Sequence, residues 1–157
     1  MSNLIKTNTP ITFKKIQTTD ILVMVNMMET FYAIDGYPMD RVITTENFHH
    51  FINTPQLGQA FLIQYNDQNV GYIIMNFLFS FEFSGTIAFL DELFIDEGLR
   101  GKGIGKASIK FIKEFAKQQE LKSVFLEVEL HNMKAQELYK KSGWKNHHRS
   151  LMIYKVE

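Results

Sequence analysis

Apolar positions change their period several times along this chain, and each change predicts an element. Ile11 to Gln17 reads as a first strand. Thr18-Thr19-Asp20 then offers caps to a helix in which Ile21, Leu22, Met24, Val25 and Met28 recur at helical spacing. It should run to about Ile34, where Asp35-Gly36-Tyr37-Pro38 breaks it. Thr44 or Thr45 can cap a second short helix through Phe48, Phe51 and Ile52, ended by Thr54-Pro55. Ala60 to Tyr65 is a strand, and Asn66-Asp67-Gln68-Asn69 a hairpin turn. Val70 to Phe83 is a long strand with Phe77, Phe79, Phe81 and Phe83 on one face and Leu78, Ser80 and Glu82 on the other.

Ser84-Gly85 turns the chain into Thr86–Ile95, which is apolar on both faces as a central strand should be. Strict alternation puts Ile87, Phe89, Leu93 and Ile95 with Asp91, and Ala88, Leu90 and Phe94 with Glu92. Beyond a glycine-rich turn, Ile104, Ala107, Phe111, Ile112 and Phe115 form the inward stripe of a helix, with Lys106, Lys110, Lys113 and Lys117 outward. Val124, Leu126, Val128 and Leu130 alternate as a strand. Asn132 caps a helix with Ala135, Leu138 and Tyr139 on one stripe, and Gly143 stops it. One or two closing strands follow from Trp144. The order predicts a mixed α/β (α+β) sandwich with about seven strands. Neither repeat nor linker interrupts it, so residues 1–157 read as a single domain.

Composition narrows the chemistry. The chain has 157 residues, 45% hydrophobic and 22% charged, as a globular protein does. It has no cysteine, hence no disulfide framework, thiolate nucleophile or zinc finger. Seventeen basic and 17 acidic residues cancel, leaving no global field to draw nucleic acid. Met1 to Lys6 has no secretory pattern, and Gly71 to Phe83 is too short and too polar to span a bilayer. A soluble cytoplasmic protein with no membrane partner is the expectation. The charges are unevenly spread: residues 1–95 hold four Lys or Arg against nine Asp or Glu, and residues 96–157 hold thirteen against eight.

Arg100-Gly101-Lys102-Gly103-Ile104-Gly105, between a central strand and an amphipathic helix, has the layout of an anion cradle. Glycines let backbone N–H groups approach phosphate oxygens, and the helix N-terminus adds its orphan donors. Arg100, Lys102 and Lys106 add formal charge, so a diphosphate is the natural guest. A Walker A loop fails at Arg100 and Ala107, and the dinucleotide fingerprint fails at Lys106.

That loop resembles the R/Q-x-x-G-x-G/A motif of the GCN5-related N-acetyltransferases. Two further segments are similar to the same family. Leu93-Phe94-Ile95 looks like its fourth strand, and Asn132-x-x-Ala135-x-x-Leu138-Tyr139-x-x-x-Gly143-Trp144 looks like its N-x-x-A-x-x-L-Y-x-x-x-G-F segment, with Trp for Phe. The resemblance is strong over residues 86 to 148. It implies an acetyl-CoA-dependent N-acetyltransferase acting on an amine, with splayed fourth and fifth strands holding the pantetheine arm. It implies that Gly101, Gly103 and Gly105 hold the pyrophosphate, that Leu93 to Ile95 pair with the arm, and that an N–H near Ile95 polarises the thioester carbonyl. Asn132 would contact the arm besides capping its helix. Tyr139 would be the acid that escorts the leaving thiolate.

The amine must lose a proton to attack, and Asp91 and Glu92 are the candidate bases, with Glu82 behind them. In the diamine-acetylating branch of the family a Glu stands at the place of Asp91. The shorter Asp favours a water relay. With no cysteine to carry an acyl group, attack is direct, in a ternary complex. The acidic first half favours a small cationic amine; a protein amine, or a non-catalytic acyl-CoA-binding module, are the alternatives. Phe31-Tyr32-x-x-Asp35-Gly36-Tyr37-Pro38 occupies the stretch where this family often builds its acceptor pocket. His49-His50 and His147-His148 lack metal-ligand spacing, so no metal is expected. The Phe77–Phe83 stripe suits either the core or the seam of a homodimer.

Overall fold

In the computed structural model, which describes residues 10–156, the chain falls into two compact units that divide after Glu127. The reading made at Met1 to Lys6 lies outside the described residues. The first unit runs β1 (Ile11–Lys15), α1 (Ile21–Asp35), α2 (Arg41–Asn53), β2 (Gly58–Tyr65), β3 (Gln68–Ser80), β4 (Gly85–Ile95), α3 (Ile104–Gln118) and β5 (Val124–Leu126). Its five strands form one sheet in the order β1-β2-β3-β4-β5. The first four pair antiparallel and β5 joins β4 in parallel, so the sheet is mixed, as expected.

Each face of the sheet carries a helical layer because each strand offers apolar side chains on both sides. On one face α1 and α2 bury Met24, Val25, Met28 and Phe48 against Leu62, Tyr72, Ile74 and Phe94. On the other, α3 packs aromatic rings onto the sheet. Phe111 stacks on Phe13 at 4.3 Å, and Phe115 meets Phe61 edge-on at 5.1 Å. The predicted stripe of α3 holds, with Ile104, Phe111, Ile112 and Phe115 buried.

Several boundaries differ from the sequence reading, each for a local reason. Asp40, not Thr44 or Thr45, caps α2, its carboxylate accepting the N–H groups of Val42 and Ile43. The expected four-residue hairpin turn is a two-residue one. Asn66 and Asp67 both take positive φ, 49° and 61°, which matches the strand twist and returns Gln68 and Asn69 to β3. β3 ends at Ser80, where Ser80 Oγ accepts the Phe83 N–H and Ser84 turns at φ 56°. The aromatic stripe therefore divides. Phe77 stacks on Phe115, Phe83 leaves the strand to meet Phe125, and Phe79 and Phe81 stand exposed.

The expected alternation along β4 is broken by a β-bulge. Ile74 pairs with Glu92 but Met75 pairs with Leu90, so Asp91 is the surplus residue. Ala88 and Leu90 consequently share a face with Leu93 and Ile95, not with Phe94. Glu92 and Phe94 share the other face with Tyr72 and Ile74, under α1.

The second unit holds α4 (Met133–Lys141). Asn132 Oδ1 accepts the Ala135 N–H at 3.1 Å. At the other end Gly143, at φ 92°, lets the Gly143 and Trp144 N–H groups reach the Lys140 and Tyr139 carbonyls, a Schellman stop. The strand expected through Leu130 is only the three-residue β5, and further on Gln136 Nε2 donates to the Glu129 and Leu130 carbonyls. The closing strands are absent among the described residues after Trp144. Leu151, Met152, Ile153, Tyr154 and Val156 are apolar but exposed there, without the paired backbone that makes a strand.

Candidate active site

The site begins at the end of β4. Ala88 to Leu90 pair with Val124 to Leu126, and there the ladder stops, while β4 continues to Ile95. The Asp96 N–H bonds the Val70 carbonyl, so Phe94, two residues earlier, also faces β3 and the flanking Leu93 and Ile95 point their N–H and C=O groups to the other edge. On that edge no residue of β5 pairs with them.

The chain then leaves through Asp96, whose carboxylate accepts the Gly98 N–H, into the glycine loop. Gly101 and Gly103 take φ of 80° and 79°, and a Cβ on either would meet nothing within 4 Å. Glycine is required there for its backbone angle, and the loop surface is open. Gly105 differs from the other two, since it lies inside the first turn of α3. The first intrahelical bond runs from the Ala107 N–H to the Gly103 carbonyl, so the N–H groups of Ile104, Gly105 and Lys106 precede the ladder. Arg100, Lys102 and Lys106 are exposed around these donors. Arg100 pairs with Glu97 at 3.2 Å, and Lys102 Nζ sits 5.5 Å above the Tyr65 ring. Unpaired helix-start donors and three exposed cations thus adjoin an open loop surface, which suits a diphosphate.

The two adjacent acids of β4 occupy opposite environments. Asp91, the bulge residue, is exposed. Glu92 is partly buried, and both its oxygens are occupied: Tyr32 Oη donates to Oε1 at 2.6 Å and Tyr72 Oη to Oε2 at 2.5 Å. Burial raises the Glu92 carboxyl above the usual carboxylate range. The two phenols oppose that shift and the charge of Asp91 adds to it. Both phenols are in turn pushed above the ordinary tyrosine value, by burial and by the carboxylate. Phe31, Phe94 and Tyr37 complete an aromatic surround, with Phe31 5.4 Å from Phe94 and Tyr37 edge-on to Tyr32 at 6.4 Å. The Phe31–Pro38 segment singled out in the sequence thus reaches Glu92 through Tyr32. Tyr72 had no signal in the sequence, being one aromatic among many on a buried strand.

Glu82 lies apart from both acids, exposed in the turn before β4. The strand between puts it roughly 20 Å from Glu92. In the second unit, Tyr139 is partly covered, its ring 5.9 Å from Trp144, and burial pushes its phenol up to about 12.

Comparison with known proteins agrees with this architecture. The chain is 28% identical over 144 residues to an uncharacterized N-acetyltransferase of Methanocaldococcus jannaschii, covering 90% of this chain and 62% of that one. It thus spans less than two thirds of that relative's length. An integron cassette protein from the mobile metagenome of Cole Harbour salt marsh shares the fold with a TM-score of 0.83, at 25% identity over 92% of this chain and 90% of that one. A predicted acetyltransferase of Clostridium acetobutylicum, solved with acetyl-CoA, superposes with a TM-score of 0.76 at 16% identity, over 92% of this chain and 96% of that one. Residues 24–144, from α1 through the Gly143-Trp144 stop, match the acetyltransferase (GNAT) family, and the chain belongs to that family.

Proposed function

We propose that this protein transfers the acetyl group of acetyl-CoA to a primary amine, by direct attack in a ternary complex, and that the acceptor is a small cationic amine. The observation that carries the reading is the continuity from the free edge of β4 at Leu93 and Ile95 into the open glycine loop and the N-terminus of α3. An extended pantetheine arm can pair with that edge while its pyrophosphate rests on the N–H groups of residues 101–106. The Ile95 N–H, on the same edge, is the donor we assign to the thioester carbonyl oxygen. Asn132 is assigned a contact to the arm on its motif alone.

At pH 7 roughly one alkylamine in 2,500 is neutral, so a proton acceptor matters. Glu92 is the better base. Burial raises its carboxyl above the usual carboxylate range, and its surround of aromatic rings and a second carboxylate attracts an ammonium group. One proton passes from the ammonium to Glu92, the nitrogen lone pair forms a bond to the carbonyl carbon, and as the C–S bond breaks the nitrogen sheds its second proton to the departing thiolate, leaving a neutral amide and the free thiol. Tyr139 is assigned to that thiolate. A phenol at about 12 faces a thiol near ~8.5, so full transfer is uphill by roughly 3.5 units, and Tyr139 serves by donating a hydrogen bond.

Free-thiol release from acetyl-CoA, followed over a panel of monoamines, diamines, polyamines, amino sugars and peptide N-termini, tests this reading. Amine-dependent release with preference for small cationic amines is the expected result. Saturable acetyl-CoA binding with no release for any amine would leave a non-catalytic acyl-CoA module in its place.

A further inference from the structure

We propose that Tyr32 and Tyr72 are a positioning pair that clamps the Glu92 carboxylate from two elements, fixing its orientation and favouring its ionised form. The inference rests on the proposed role of Glu92 as proton acceptor. Its geometry stands independently. One phenol comes from α1 and one from β3, and each takes a different carboxylate oxygen, at 2.6 and 2.5 Å. These are the lengths of O–H···O⁻ bonds with a charged acceptor. Tyr72 is fully buried, its ring tilted against Phe94 at 5.6 Å, so its hydroxyl cannot swing away to water. Tyr32 is held by the edges of Phe31 and Tyr37. Each carboxylate oxygen has two lone-pair directions, so one phenol on each leaves room for the acceptor's N–H.

The groups that face Glu92 are few. Tyr32 approaches from α1, Tyr72 from β3 and Asp91 from β4 itself. Among the described residues no cation joins them, so the two phenols counter what burial and Asp91 do. Burial and Asp91 both favour the protonated carboxyl, which cannot act as a base. Two charge-assisted donors keep it available, and they also keep it from rotating off the amine.

The test uses the intact protein with Tyr32→Phe, Tyr72→Phe and the double variant. The Glu92 carboxyl is titrated by carbon NMR, its signal assigned by its loss in Glu92→Gln. Phenylalanine keeps each ring and its packing, and amide spectra check the fold. Loss of one phenol should move the Glu92 midpoint up by about one pH unit, and loss of both should move it further. The acid limb of the kcat/KM profile should move with it. Midpoints unmoved in both folded single variants would overturn the clamp. A midpoint that moves while the acid limb stays fixed supports the clamp and removes Glu92 from the proposed reaction.

Discussion

Tyr32 and Glu92 lie 60 positions apart in the chain and meet through a 2.6 Å hydrogen bond. The contact joins α1, the helix that follows β1, to the inner strand β4, in a setting where almost every neighbour is aromatic. A charge there has to be used or compensated, since an idle buried carboxylate is costly. That requirement separates Glu92 from Asp91 as a candidate base.

Replacement of the two acids should therefore have unequal effects. Glu92→Gln should lower kcat by about 10²–10⁴-fold, the usual worth of a positioned general base. Asp91→Asn should cost less than about tenfold, through the loss of a nearby charge alone. Steady-state kinetics on the preferred amine decides the matter, and the opposite ranking would return the role to Asp91.

Stability should carry the mark of the same group. The folded Glu92 carboxyl titrates above its value of 4.5 in the unfolded chain, so between those two values the folded state binds the extra proton. This contribution to stability is full below 4.5 and is lost as pH rises through the folded value. Denaturant titrations of the wild type and Glu92→Gln across that window should diverge, with the wild type losing stability relative to the variant as pH rises.

The glycines predict two different kinds of damage. At Gly103 an alanine fits the space but not the backbone angle. Gly103→Ala should cost about 1–2 kcal/mol in stability and weaken acetyl-CoA binding, read by calorimetry. At Gly71 the obstacle is contact, since a Cβ would stand 2.1 Å from the Phe94 carbonyl oxygen. Gly71→Ala should cost about 3 kcal/mol, the upper end for overpacking, by forcing β3 from β4.

Tyr139→Phe should lower kcat by about 10–10²-fold while leaving the acetyl-CoA KM within about twofold, because the phenol acts on a thiolate that exists only as the bond breaks. An equal fall in turnover and coenzyme affinity would make Tyr139 a binding residue.

Much of this was legible in the residues, and the failures have physical causes. The stripe of α3 and the cap and stop of α4 follow from spacing and turn chemistry, which are local. The glycine loop was legible because backbone freedom and charge sit side by side in the sequence. The phenol pair was not, because nothing within a few residues of Tyr72 or Tyr32 refers to Glu92. The faces of β4 were misread because alternation assumes an unbroken ladder. The closing strands were expected from β-favouring residues at Leu151 to Val156, but propensity does not supply a pairing edge.

Removing Asp91 from the count restores perfect alternation: Leu90 to one side, Glu92 to the other, then Leu93, Phe94 and Ile95 in turn. The surplus residue also bends its strand, at the point where β4 and β5 cease to pair. Excision of that single aspartate should restore the regular pleat and straighten the strand beside the edge proposed to take the coenzyme's tail. A chain so trimmed would keep Glu92 and both phenols, yet offer the proposed coenzyme arm a different edge.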